Sequence, residues 1–188
     1  MTGRTIDETI TAFQEAVRDV WMCISDDGIF VRKRANPGDA GFVYVLGHRP
    51  AKVQLHRRGS SSLVFYMAHD FVVNQDAGGL WRAHTTQYIH ELSDAGGQRI
   101  LAYHYHPRGR GTDTYPSPHL HVYAPVLSAE RRLEKLHLPT NRVGLEDVAS
   151  LLIEGYGVTV REPYARDDRW RDILESARGM LRDELGLA

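Results

Sequence analysis

The chain has little of what would assign it to a familiar class. Its 188 residues include a single cysteine, so no internal disulfide can form. No apolar run approaches the roughly 20 residues that a membrane-spanning helix needs, and the N-terminus lacks the apolar segment of a signal peptide. These absences predict a soluble protein of the reducing cytoplasm without a membrane partner, with Cys23 buried in the run VWMCI.

An excess of charge of one sign is also lacking. The 23 Lys and Arg residues nearly balance the 24 Asp and Glu residues, so net charge alone does not attract a polyanion or a membrane surface. The sequence contains no P-loop, no dinucleotide-binding glycine fingerprint, no cysteine-rich zinc motif and no Gly-x-Ser-x-Gly elbow. Several classes of nucleotide-binding protein and hydrolase are therefore excluded, and any anion site has to be local.

Hydrophobic periodicity divides the chain into helices and strands. Apolar residues recur at helical spacing over about residues 5–23, and again in the C-terminal part, about residues 128–186. Between them, about residues 28–124 give seven strand candidates separated by short turns rich in Gly, Asp and Asn. The sequence thus predicts one α+β domain over residues 1–188. Its centre is an antiparallel meander of about six to seven strands, flanked by the N-terminal helix and the C-terminal helices.

Two His-x-His pairs stand at the ends of a loop rich in Arg, Gly and Pro, in the stretch HYHPRGRGTDTYPSPHLH. Because alternate strand residues share a face, His104 and His106 project together, and so do His119 and His121. The residues that alternate with them are apolar or aromatic: Tyr103, Tyr105, Leu120 and Val122. Burying those residues against one core places all four imidazoles on the opposite face. The simplest register pairs His106 with His119 and His104 with His121, whereas a shift of two residues leaves one facing pair.

Three kinds of chemistry suit such a cluster. Neutral imidazoles can ligate a divalent transition metal such as Zn, Ni, Cu, Mn or Fe, with an open coordination position when only three bind. Without a metal, two histidines can act as acid and base in phosphodiester cleavage, while Arg108 and Arg110 of the adjoining loop stabilise charge on the phosphate. A histidine can also attack a nucleotide phosphate as a nucleophile. A structural role, with the arginines on a solvated rim, stays open beside these.

The preceding strand candidate, WRAHTTQYIHEL, carries polar residues at alternate positions: His84, Thr86, Tyr88 and His90. Its register against the next strand depends on the length of the turn SDAGG. A five-residue turn places Thr86 and His84 opposite the two histidines of that strand. A four-residue turn places Gln87 and Thr85 there instead.

The part of the chain over residues 82–155 resembles TumE-type toxins of bacterial toxin–antitoxin pairs. Those proteins have a Pro-His-x-x-His-like segment followed by a helix with SLEDV-like residues. The matching positions are His119 and His121 in PHLHV and Leu145, Glu146, Asp147 and Val148 in LEDV, with Gly144 where the family has a Ser cap. The segment HLPT-x-RV-x-LEDV also resembles a group of actinobacterial proteins. The toxin resemblance implies hydrolysis of RNA or nucleotide phosphoesters and an antitoxin protein as partner.

A second resemblance concerns the segment HLHVYAP. It is similar to the nucleophile strand of histidine-triad nucleotide hydrolases, with His119 at the nucleophile position and His121 at the last triad position. Ser117 stands at the first triad position.

The leading hypothesis is therefore a histidine-cluster, toxin-like hydrolase of RNA or nucleotide phosphoesters, with or without a metal. The competing hypothesis is a non-catalytic module that binds a metal, an antitoxin or a second copy of the chain through its sheet. A third is a degenerate histidine-triad-like nucleotide hydrolase.

Overall fold

The computed structural model describes residues 1–35, 42–48, 52–106, 118–123 and 137–184. In these ranges nine strands form one antiparallel sheet accompanied by three α-helices, which confirms the predicted α+β fold. The strands are β1 (Thr2–Gly3), β2 (Ile29–Ala35), β3 (Phe42–His48), β4 (Val53–Arg57), β5 (Ser60–Gln75), β6 (Trp81–Asp94), β7 (Arg99–Tyr105), β8 (His119–Val122) and β9 (His137–Pro139). The helices are α1 (Ile6–Met22), α2 (Leu145–Ser150) and α3 (Arg169–Glu184).

The predicted number of strands, about six to seven, was too low. All seven strand candidates form strands, namely β2 to β8. The two additional strands, β1 and β9, have two and three residues. Segments this short carry no measurable alternation, so periodicity could not reveal them.

The strand order is β2-β3-β5-β6-β7-β8-β9, and all described pairings are antiparallel. It departs from a plain meander at β5, which has 16 residues and is long enough to pair with two strands along one edge. Residues of β3 pair with Ala68–Phe71, and residues of β4 pair with Leu63–Phe65. The β5 and β6 strands therefore form the centre of the sheet.

A hydrophobic core lies between the helices and one face of this sheet. On β5, the core residues alternate along the strand as Phe65, Met67 and Phe71, with β-strand period two. Trp21 of α1 stacks on Phe65 with ring centroids 5.9 Å apart, and Phe13 meets Phe71 at 4.6 Å. The helices cover this face. The residues of β5 to β8 that alternate with the core residues therefore lie on the opposite face, which carries the candidate site.

The C-terminal helices follow the predicted segments where the structure describes them. Helix α2 continues into a π-helical turn over Leu151–Gly155, and a 3₁₀ turn over Arg166–Asp168 precedes α3. The segment SAERRLEKL, predicted as a helix, lies outside the described residues. Among the described helices, none is both long and apolar enough to cross a membrane.

Helix α1 begins at a capping box. The Thr5 hydroxyl accepts a hydrogen bond from the Glu8 backbone N–H at 3.1 Å, and the Glu8 carboxylate accepts one from the Thr5 backbone N–H at 3.3 Å. Two backbone donors of the first turn are thereby satisfied.

Removing this cap should destabilise the protein measurably. We expect Thr5→Ala to lower the free energy of unfolding by about 1 kcal/mol, since a first-turn N–H loses its acceptor. Urea denaturation of Thr5→Ala against Thr11→Ala, an exposed threonine within α1, measures the difference. Equal loss in the two variants would contradict a specific role for the cap.

Candidate functional site

Strands β7 and β8 pair in a register that differs from the simplest prediction by two residues. His104 faces His119, and His121 faces Ala102. The prediction of two facing histidine pairs was therefore wrong, and one facing pair remains. In the observed register, apolar residues face each other on the core side, with Tyr103 opposite Leu120.

The predicted clustering of the four histidines on one face does hold. The ring centroids of His104 and His121 are 4.8 Å apart, those of His106 and His119 are 5.4 Å apart, and those of His104 and His119 are 5.7 Å apart. His119 has no exposed surface, while His106 and His121 are less than a tenth exposed. We refer to these four residues as the histidine cluster.

The residues that alternate with the cluster were all expected in the core. Tyr105 is buried, and Tyr103 and Leu120 pack against the core. Val122 is the exception, with 38% of its surface exposed. It is the last residue of the short strand β8 and does not belong to the hydrophobic core.

Three members of the cluster can hold a metal ion. His104, His106 and His119 each offer one ring nitrogen, and these nitrogens lie within 4.8 Å of one another. A tetrahedral centre with metal–nitrogen distances near 2.1 Å requires nitrogens about 3.4 Å apart. Binding would therefore require the rings to approach one another by rotation about their side-chain torsions. Three protein ligands also leave a coordination position open for water or substrate.

His121 lies beside this three-histidine group. Its Nε2 is 3.0 Å from Nε2 of His119, so in the neutral pair one ring donates its Nε2–H and the other accepts. For His119 to ligate a metal while this hydrogen bond fixes its ring, its Nδ1 has to be the ligating nitrogen, because Nε2 is in the contact. His121 is thus placed to orient His119.

A cavity of about 200 Å³ adjoins the three-histidine group on the same face of the sheet. His104 and His106 form one wall of it, and Asp70 and Gln87 form another. The remaining lining residues are apolar or aromatic: Tyr66, Ala68, Tyr88, Ile89 and Tyr105. A molecule in this cavity therefore contacts two of the potential metal ligands and a buried carboxylate.

The Asp70 carboxylate is held in place from two strands. Its Oδ2 accepts hydrogen bonds from the Arg34 guanidinium of β2 and from the Gln87 side-chain amide of β6. The residue is only 6% exposed, and its ion pair with Arg34 offsets the cost of burying the charge. Neither Asp70 nor Arg34 was singled out from the sequence, because the contact joins strands that are 36 residues apart.

A second histidine pair lies on the opposite, core-facing side of the sheet. Nε2 of His69 is 2.6 Å from Nε2 of His90, and the Tyr88 ring stacks on His90 with centroids 5.1 Å apart. Burial lowers the pKa of His69 to about 4. The pKa of His90 is lowered well below its ordinary value, chiefly by burial and further by His69 and His104. Both imidazoles are therefore neutral at pH 7.

The sequence analysis missed this pair, although a signal was present. His69 follows Phe65 and Met67 at every second position of β5, so its side chain lies on the same, core-facing side of the sheet. His90 was placed with His84 and Thr86 on one face, and this was wrong. Thr86 is the extra residue of a β-bulge, since Asp70 pairs with Gln87 and the next residue of β5 pairs with Thr85.

The bulge changes which residues of β6 face the cavity. Gln87 lies on the cavity side, whereas His84 pairs with Val72 near the far end and is exposed. Neither register considered for β6 and β7 is found, because Ile89 lies opposite His104. The turn is shorter than either expected length, since the Asp94 backbone N–H donates to the Gln98 carbonyl, and an irregularity between Leu92 and Ser93 shifts the pairing further.

The loop arginines of the prediction, Arg108 and Arg110, lie outside the described residues, as does Ser117. The LEDV segment forms the start of α2, where Leu145 and Val148 are core residues and Glu146 is fully buried. A Cβ atom at residue 144 would overlap the Glu146 carboxylate, so any side chain there would require that buried group to move.

Hydroxyl groups from the sheet tie this helix to the core face. The Tyr88 hydroxyl accepts a hydrogen bond from the Val143 backbone N–H at 2.8 Å, and the Tyr105 hydroxyl accepts one from Arg142. The segment preceding α2 is thus fixed to the strands that carry the cluster.

Comparison of the chain with protein-family models, with curated proteins and with solved structures finds no match.

Proposed function

We propose that the protein is a metal-dependent hydrolase of RNA or nucleotide phosphoesters, with His104, His106 and His119 as metal ligands. The observation that carries this proposal is the convergence of their three ring nitrogens within 4.8 Å at the wall of a cavity. Three imidazoles of this spacing on paired strands match the ligand number of catalytic metal sites, which keep one position open.

The chemistry follows from that open position. A divalent metal bound there lowers the pKa of a coordinated water and polarises a phosphoryl oxygen. The chain's own part is to orient the ligands and to exclude bulk water. His121 orients His119 through the 3.0 Å contact, and the burial of His106 and His119 keeps the site dry on the protein side.

The substrate class rests on two supports. Gln87 and Asp70, which is paired with Arg34, give the cavity polar groups that can hydrogen-bond a nucleotide. The resemblance of residues 82–155 to TumE-type toxins implies RNA or a nucleotide as substrate. A toxin role, with an antitoxin protein as its partner, belongs to the same proposal.

Metal content tests the site first. Protein purified without a histidine tag is expected to carry about one equivalent of Zn, Ni, Mn or Fe per chain. Because two of the three ligands are removed, the His104→Ala/His106→Ala double variant should carry none. Elemental mass spectrometry compares the metal content of both proteins with that of His84→Ala. This control removes an exposed histidine that pairs with Val72, outside the histidine cluster.

Two outcomes separate the hypotheses. A folded wild-type protein that takes up no metal after incubation with salts of these four metals contradicts the metal site. Stoichiometric metal without hydrolysis of a phosphodiester or an RNA oligonucleotide contradicts the enzymatic part and supports the metal-binding module.

A further inference from the structure

The cavity beside the three-histidine group has a second polar wall, which the proposed metal chemistry does not use. Both hydrogen bonds to the Asp70 carboxylate end on Oδ2, so among the described residues Oδ1 accepts none. Asp70 lines the cavity and is 6% exposed. A buried carboxylate oxygen that accepts from no protein donor is a strong acceptor for an N–H group of a ligand that enters the cavity.

Gln87 supplies a second acceptor next to the first. Its amide nitrogen donates to Asp70, which fixes the orientation of the amide and leaves its oxygen as the free end. Asp70 and Gln87 are direct partners in the register of β5 and β6, and both line the cavity. The wall therefore presents two neighbouring acceptors, with the Arg34 guanidinium as a donor at its side.

The size of the cavity limits what can occupy it. Its volume of about 200 Å³ holds about seven water molecules at roughly 30 Å³ each, which is less than the space of a drug-sized ligand. One flat bicyclic ring fits this space, and a folded polymer does not. Tyr66, Ala68 and Ile89 give apolar surface for the faces of such a ring.

Among the nucleobases, guanine matches the order of these groups. Its Watson–Crick edge presents two adjacent N–H donors, N1–H and the N2 amino group, beside the O6 acceptor. Adenine and cytosine present one amino group next to an acceptor nitrogen, which two neighbouring carboxylate and amide oxygens would repel. Uracil presents a single N–H between two acceptors.

We propose that the cavity is a guanine-binding subsite, in which Asp70 and Gln87 accept from the base and Arg34 holds Asp70 in place through their ion pair. The coupling of this subsite to catalysis rests on the proposed hydrolase function: a base seated here has its phosphoester on the side of His104 and His106. Guanine binding itself requires no metal. The base belongs either to a free nucleotide or to single-stranded RNA.

Ligand variation tests the subsite without changing the protein. Isothermal titration calorimetry of the wild-type chain with GMP, IMP and AMP is expected to give the tightest binding for GMP. IMP lacks only the N2 amino group and should bind about 10-fold more weakly, whereas AMP should bind about 100-fold more weakly. Equal affinities for the three nucleotides would overturn the proposal.

Matched variants locate the discrimination on the wall. Gln87→Met keeps the side-chain length and removes the acceptor, so the preference for GMP over IMP should disappear. Gln54→Met, an exposed glutamine of β4, should retain it. Asp70→Asn is the second variant and is compared with Asp172→Asn, an exposed carboxylate of α3. A GMP preference that survives both cavity variants in folded protein would refute the assignment.

The two proposals fail in different ways. Hydrolysis of bis(p-nitrophenyl) phosphate, which has no base, reports on the metal site alone, and nucleotide binding by the metal-free chain reports on the subsite alone. Titration with a guanine-containing RNA tetramer and with its inosine counterpart separates the two sources of guanine. Selective binding of the tetramer indicates RNA, and selective binding of GMP alone indicates a free nucleotide.

Discussion

His119→Ala is expected to lower the rate of phosphoester hydrolysis by about 10³-fold or more. The residue is fully buried, faces His104 across two strands and offers one of the three converging nitrogens. In the proposed metal site its loss leaves two protein ligands, which would bind the ion weakly and activate its water poorly. Initial rates on a model phosphodiester and on an RNA oligonucleotide, at fixed metal concentration, measure the effect.

His121→Ala provides the graded comparison. Because His121 acts through its contact with His119, its loss should cost about 10- to 100-fold in rate, as is typical of groups that orient a metal ligand. His84→Ala should leave the rate unchanged, since this histidine is exposed on another part of the sheet. Circular dichroism confirms that each variant is folded. A folded His119→Ala protein with full activity would exclude His119 as a ligand.

The second large effect concerns stability in acid. As the pH falls through 6.5, His69 and His90 take up protons in the unfolded chain, whereas in the folded chain the pKa of His69 is held at about 4 by burial. The unfolded state then binds more protons than the folded state, so the free energy of unfolding decreases with falling pH. For His69 alone the loss between pH 6.5 and 4 is on the order of 3 kcal/mol.

Removing the pair should remove this dependence. Urea denaturation at several pH values between 4 and 7 is expected to show a steep decrease for the wild-type protein and a shallower one for His69→Leu/His90→Leu. The double variant loses the 2.6 Å contact but no longer has to keep two buried groups neutral. Parallel pH profiles for the two proteins would show that the pair does not control acid stability.

Periodicity was sufficient to predict the fold class and the composition of the histidine cluster. Strand alternation depends only on backbone geometry, so His104, His106, His119 and His121 share a face whatever the register. Every long strand likewise carried its own apolar alternation. These features are local, and each can be derived from a single segment.

The remaining parts of the site depend on relations between segments. The shift of β8 against β7, the bulge at Thr86 and the reach of Arg34 to Asp70 join residues far apart in the chain. Turn chemistry does not determine such registers, because an extra residue in either strand shifts every pair beyond it. Gln87 shares the cavity face with Ile89 by plain alternation, but the bulge breaks that alternation beyond Thr86, and no pattern within β6 indicated that His84 and Gln87 lie on one face.

The bulge at Thr86 makes the number of residues in β6 as important as their identity. Deleting a paired residue of β6 would exchange inside and outside for the strand beyond it, whereas loss of Thr86 itself would leave Thr85 and Gln87 adjacent and still on opposite faces. Insertions and deletions are absorbed without this exchange in the turns that follow β5 and β6, such as the one closed by the Asp76 and Leu80 backbones. Descendants of this chain can therefore diverge in sequence along β6, while changes in its length must fall in its turns or at Thr86.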